Sequence, residues 1–162
     1  MDEDKLSQIV SRKEFHEAIR SSLVLAADAG ASEICLVDTD FQDWPLNERA
    51  VVETLARWAA SQRKLVLFAH SFEALPRSAP RFTEWRRQWS HIVQCRSDPD
   101  LEAQQVPTLL LVPGQASLRL VDPVHFRGVL SGRATDEVQA RETIDALLQR
   151  SIEAFPPTTL GL

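Results

Sequence analysis

The residues best placed to do chemistry are Asp38-Thr39-Asp40, directly after the apolar run Glu33-Ile34-Cys35-Leu36-Val37. A short apolar run bounded by polar residues reads as a buried strand. In open α/β sheets, ligands bind outside the carboxyl ends of the strands. Two carboxylates at such an edge would hold a magnesium ion, or one would attack a phosphoryl group. A second strand, Lys64-Leu65-Val66-Leu67-Phe68-Ala69, runs into His70-Ser71 and brings an imidazole and a hydroxyl to the same edge. The competing reading gives Asp38 and Asp40 a local duty, solvating a loop or capping the helix after it. Other chemistries lack their residues. The chain has no His-x-x-x-His or Cys-x-x-Cys pair, no Gly-x-Ser-x-Gly elbow, no phosphate loop and no Gly-x-Gly-x-x-Gly. No metal site and no cofactor are expected from this pattern.

The elements that must position these groups follow from periodicity. Ser11-Arg12-Lys13-Glu14 is a capping box. Phe15, Ile19, Leu23 and Ala26 then repeat at helical spacing until Gly30 closes the helix. Asn47 is expected to cap a second helix with the stripe Val51, Leu55, Trp58 and Ala59. The strand at 64–69 is apolar on successive residues, as one covered on both faces should be. Phe82, Trp85 and Trp89 share one side of a third helix, and His91–Cys95 reads as a third strand. Leu109–Val112 and Ser117–Val121 flank Pro113-Gly114, the central pair of a type II turn, and should form an antiparallel hairpin. Thr135 is expected to cap a last helix with the stripe Ala140, Ile144, Leu147, Leu148 and Ile152. The alternation of strand and helix predicts an α/β, three-layer sandwich with a mostly parallel sheet and a late antiparallel hairpin. Residues 1–162 read as a single domain with an ordered core of roughly 9–155.

Composition limits the partners. The chain has 162 residues, 44% of them hydrophobic and 25% charged, which is ordinary for a globular domain with its own core. Its 18 Lys+Arg against 23 Asp+Glu give a net charge of −5, so neither nucleic acid nor a membrane surface is expected as a partner. Cys35 and Cys95 lie in separate apolar stretches and read as buried thiols. Met1-Asp2-Glu3-Asp4 is acidic where a signal peptide is basic, and a cytoplasmic location is expected. Arg81, Arg86, Arg87 and Arg96 surround the tryptophan helix and read as a solvated face around a core stripe. An exposed tryptophan there would instead mark a protein interface.

Two resemblances bear on function. A strand ending in Asp-x-Asp, followed by a strand ending in Ser, resembles the first two motifs of haloacid-dehalogenase-type phosphatases. That would make Asp38 and Asp40 the centre of a small metal-dependent phosphatase. The chain departs from this family at Phe41, where a small or β-branched residue is the rule, and in its lysine: beyond the first helix only Lys64 remains, at the wrong end of its strand. The second resemblance covers roughly residues 9–155. Ile9–Phe15, Asp38-x-Asp40, Val106-Pro107-Thr108-Leu109-Leu110-Leu111-Val112, Leu118-Arg119-Leu120 and Gly132-Arg133 resemble an uncharacterised proteobacterial domain that is similar to one half of a phospholipase D-type fold. Its relatives are often appended to GNAT-type acetyltransferases, and this chain is expected to be a stand-alone version.

In that family a His-x-Lys-x-x-x-x-Asp motif supplies the nucleophile and the phosphate-holding lysine. Here Pro107 stands in the histidine place, Leu109 in the lysine place and Gly114 in the aspartate place. The resemblance therefore implies a phospholipase D-like domain with a degenerate site, no hydrolase activity, and a role as a binding or interaction module with a protein partner of unknown identity. Candidate ligand-binding residues are Asp38, Asp40, His70, Ser71 and Arg133. Halves of this type pair about a two-fold axis, so a homodimer is expected, with Trp85 and Trp89 as candidate interface residues.

Overall fold

The computed structural model describes residues 5–157. Chain order gives β1 (Leu6–Ile9), α1 (Arg12–Ala29), β2 (Glu33–Asp38), α2 (Arg49–Trp58), β3 (Lys64–Ala69), α3 (Leu75–Ser78), α4 (Pro80–Gln88) and β4 (Val93–Ser97). A 3₁₀ turn (Ala103–Gln105) leads to β5 (Thr108–Val112), β6 (Ala116–Asp122), β7 (Arg127–Ser131), α5 (Ala134–Gln149) and β8 (Ile152–Glu153).

All eight strands form one sheet in the order β1-β7-β6-β5-β2-β3-β4-β8. Only β2–β3 and β3–β4 are parallel pairs; the other five are antiparallel. The expectation of a mostly parallel sheet is thus corrected. Parallel neighbours need a crossover helix, and α2 and α3–α4 supply two. After β4 no such helix intervenes, so β5 meets β2 head to tail and the chain continues through tight turns. The hairpin itself is as expected: Thr108 opposes Leu120 and Val112 opposes Ala116, with Gly114 at φ 78° in the turn.

The period-2 alternation of the central strands feeds two cores. Ile34, Leu36, Leu65, Leu67, Leu110 and Val112 face α1, α2 and α4, with Phe15, Ile19, Leu55, Trp58 and Phe82. Cys35, Val37, Val66, Phe68, Leu109 and Leu111 face α5 through Ala140 and Ile144. Burial pushes the Cys35 thiol up to about 12 and the Cys95 thiol to about 11, so both stay protonated, inert core groups.

The first layer carries four helices, α1 to α4, against its face and the second only α5. A helix is about 10 Å across, whereas eight strands at about 4.8 Å span nearly four times that. Part of the α5 face of the sheet is therefore left open, over β6, β7 and β1.

Local signals at the helix ends were mixed. Ser11 caps α1 by accepting from the Glu14 amide at 3.1 Å, and the Glu14 carboxylate accepts from the Val10 amide at 2.9 Å, one residue upstream of the expected partner. Ser11→Ala should lower stability by about 1 kcal/mol, read as a lower urea midpoint at unchanged slope. Asn47 does not cap α2; its carbonyl accepts from the Arg81 amide at 3.0 Å and ties the loop to α4. Nor does Thr135 cap α5, which begins one residue earlier. Ile152 is not on α5 either but in β8, antiparallel to β4.

Candidate functional site

The expected site residues fall into two places. Asp38–Asp40 and His70–Ser71 share the carboxyl edge of β2 and β3, where Asp38 pairs with Ala69 and the Ser71 amide donates to the Thr39 carbonyl at 3.1 Å. Arg133 lies apart, beside β6, β7 and β1. Asp38 ends β2 half-buried, and its carboxylate accepts from the Thr108 hydroxyl at 2.6 Å, the Phe41 amide at 2.8 Å and the Asp40 amide at 3.3 Å. Desolvation is the largest influence on it and raises its pKa above the ordinary carboxylate value, against the lowering effect of those three donors. The bonds bend the chain so sharply that Phe41 sits at φ 62°, a region unfavourable for a residue with a side chain. Its ring is held in the core against Trp44 and Phe72, at centroid distances of 5.0 and 6.3 Å. Asp40 accepts from the Gln42 amide at 3.0 Å. Both carboxylates thus organise a turn. Among the described residues no group of three or more His, Cys, Asp or Glu side chains could hold a metal ion. The phosphatase alternative finds no support.

On that same edge His70 and Ser71 border a shallow depression shared with Phe72, Glu73, Ser97 and Phe155, which the two carboxylates do not line. The Ser71 hydroxyl accepts from the Glu73 amide at 3.2 Å, a local turn bond. Trp85 is buried in the α4 layer and is not available as an interface ring. Trp89 is half-buried and stacks on His91 at 5.5 Å.

Arg133 is the candidate that opens onto a groove. This groove, of about 300 Å³, occupies the uncovered part of the α5 face, and Leu6, Leu109, Arg119, Val129 and Ser131 line it with Arg133. Strand register explains the set. Arg119 lies opposite Leu109 on one side and Val129 on the other, while Ser131 lies opposite both Ser117 and Leu6. Residues directly opposite share a face, so all of these project to the side of α5. Asp136 at the start of α5 accepts from the Ser131 hydroxyl, which in turn accepts from the Arg133 amide at 3.0 Å. That relay fixes where the arginine leaves the backbone. Neither Arg119 nor Arg133 is in an ion pair among the described residues, and both are exposed. The groove therefore offers two cations in no ion pair among the described residues, over a largely apolar lining that also carries the Asp136 carboxylate and the Ser117 and Ser131 hydroxyls.

Sequence reasoning missed Arg119, Ser117 and Ser131. The signal lay in the alternation Ser117-Leu118-Arg119-Leu120-Val121, whose even members enter the core. Without β7 and β1, the odd members had no surface to belong to.

The eight-stranded mixed sheet with helices on both faces is an α/β fold shared with solved structures that include a phospholipase D family member. The chain is similar to TrmBL2, an archaeal chromatin protein whose structure shows a novel mode of DNA binding (TM-score 0.64, 13% identity, 93% of this chain). It spans 55% of that protein's length. It is similar over 93% of its length to NucT from Helicobacter pylori (TM-score 0.62, 9% identity, 99% of that chain). Nuc from Salmonella typhimurium, a phospholipase D family member, matches the same share at TM-score 0.53 and 9% identity, over 96% of its chain. No protein-family model and no curated protein matches the sequence.

One expectation is overturned here. The acidic balance was read as excluding nucleic acid, yet a protein sharing this fold binds DNA. Net charge sums over the whole surface, whereas binding depends on the local field. No helix among the described residues is long and apolar enough to cross a membrane.

Proposed function

We propose that the chain is a binding module of phospholipase D-like fold without phosphodiester hydrolysis, and that the groove beside α5 receives the phosphate backbone of a nucleic acid. The observation that carries this reading is the position of Leu109. It stands in the lysine place of the family motif, and its side chain is part of the floor of an open groove flanked by Arg119 and Arg133. On this reading the groove takes the place of the family's site with its chemistry exchanged. Pro107 offers no nucleophile and Gly114 lies in the β5–β6 turn, while two guanidiniums, which suit bidentate phosphate contacts, remain. The DNA binding of the structurally similar chromatin protein supports the ligand class. A single domain with its core over roughly 9–155, in the cytoplasm, belongs to the same proposal.

The test is fluorescence anisotropy with a labelled DNA duplex and its single strand across a salt series. The double variant Arg119→Ala/Arg133→Ala should bind at least about tenfold more weakly and lower the slope of log K against log salt by about 2, since each phosphate contact contributes nearly one. Equal binding by the variant, or no binding by the wild type, rejects the groove. Turnover of a chromogenic phosphodiester rejects the non-hydrolytic reading.

A further inference from the structure

At the opposite edge of the sheet a second groove, of about 560 Å³, opens between α4, β4 and the segment carrying β8. Arg86, Ser90, His91, Gln94, Arg96 and Glu153 are among its walls. Arg86 is the anomaly. It is 4% exposed on an otherwise apolar helix face. One terminal nitrogen, Nη2, donates to the Phe155 carbonyl at 3.2 Å, and the guanidinium lies 5.7 Å from the centre of the Phe155 ring. Nε and Nη1 have no hydrogen-bond partner among the described residues.

A guanidinium does not shed its proton in a protein, so this is a buried charge answered by a carbonyl dipole, a ring face and the neighbouring Cys95 sulfur, with no anion among the described residues. Buried charges are held by partners of opposite sign. The neighbouring groups do not supply one. Cys95 is a neutral thiol, pushed up to about 11 by its own burial. Glu153 faces the same groove but is exposed and in no ion pair with Arg86 among the described residues. Arg96, the second cation, is anchored by Nε to the Ser151 hydroxyl and by Nη2 to the Ser151 carbonyl, both at 2.9 Å. That anchor also fixes the segment forming the outer wall, with the Ala154 amide donating to the Cys95 carbonyl at 2.9 Å.

We infer that this groove is a binding site for a small organic oxyanion, a carboxylate or a phosphate ester, whose acid group meets the unanswered guanidinium of Arg86. The volume suits a small metabolite rather than a bare ion. Gln94 and Ser90, exposed on the walls, offer neutral hydrogen bonds to its body. The site is distinct from the Arg119/Arg133 groove and stands or falls independently of it.

The test is a titration of the full chain with inorganic phosphate and, separately, acetate, with chloride at equal ionic strength as control. The readout is the Nε–H resonance of Arg86, assigned by through-bond correlation to its own backbone. A saturable shift with phosphate, acetate or both, and none with chloride, is expected; which probe acts names the acid group. Ser90→Glu, an exposed substitution that puts a competing carboxylate on the wall, should weaken the response at least tenfold while the fold is retained. No saturable shift with either probe, or an undiminished one in Ser90→Glu, overturns the site and leaves Arg86 a packing residue.

Discussion

Gly128→Ala should destabilise the protein by at least about 3 kcal/mol, at the upper end of what overpacking costs. A Cβ built on Gly128 falls 2.0 Å from the Arg119 carbonyl oxygen, 2.7 Å from the Leu120 Cα and 2.9 Å from the Arg119 carbonyl carbon. All three atoms are backbone, so no side chain can rotate away to relieve the clash. Gly128 is opposite Leu120 on β6 and Ile9 on β1, next to the irregular register between Leu120 and Asp122. The close approach brings three strands together there. Forcing them apart would detach β7 and β1 from β6 and dismantle the groove that Arg119, Val129, Ser131 and Leu6 build. Urea denaturation gives the stability loss, and amide exchange should show the β1–β7–β6 region opening first. Gly114→Ala is the control: it has open space but φ 78°, so the cost should be nearer 1–2 kcal/mol, that of a left-handed alanine. Equal effects at the two sites would show that the strands relax around Gly128.

What the sequence revealed of this fold follows the strength of its local signals. The 64–69 run reads as a strand covered on both faces because five consecutive residues are apolar, and the structure buries them between two helical layers. The stripes of α1 and α2 were legible for the same reason. Hidden were β1, β7 and β8, each short and each bearing polar residues. Leu6–Ile9 is Leu-Ser-Gln-Ile, with only Ile9 buried, and becomes a strand only because β7 pairs with it. Arg127–Ser131 has no apolar run, and it is defined by β6. Since those strands are antiparallel, missing them made the sheet look mostly parallel.

The site was less legible than the fold, because its members come from different strands. Asp38 and Asp40 attracted attention through adjacency, and adjacency at a strand end is what a turn needs. Trp85 attracted it through size, and size placed it in the core. Arg119 and Arg133 are fourteen positions apart, and register puts both on one groove. Arg86 was grouped with its neighbours as a solvated face; Arg81 and Arg87 fit that description, while Arg86 turns inward beside Phe82 and Trp85. Charge alone does not distinguish those three arginines. The helix phase does.

Asp38→Ala should cost about 3 kcal/mol, because it leaves three donors at a part-buried turn without an acceptor: the Thr108 hydroxyl and the amides of Phe41 and Asp40. Each such orphan costs about 1 kcal/mol or more, and the sharp turn at Phe41 loses what holds it. Asp38→Asn keeps an oxygen for the two amides and should cost about 1 kcal/mol at neutral pH. The pH dependence separates a structural carboxyl from one built to hold a cation. Burial raises the pKa of Asp38 in the folded state, so the native protein binds this proton more firmly than the unfolded chain does. Its stabilising contribution is then complete below the unfolded value of about 3.9 and is lost as pH rises through the higher folded value. The stability gap between wild type and Asp38→Asn should therefore shrink from acid toward neutral pH, read by urea denaturation at a series of pH values. A gap that widens instead would mean that the anion is the favoured form. That result would return Asp38 to the list of groups poised for a positively charged ligand.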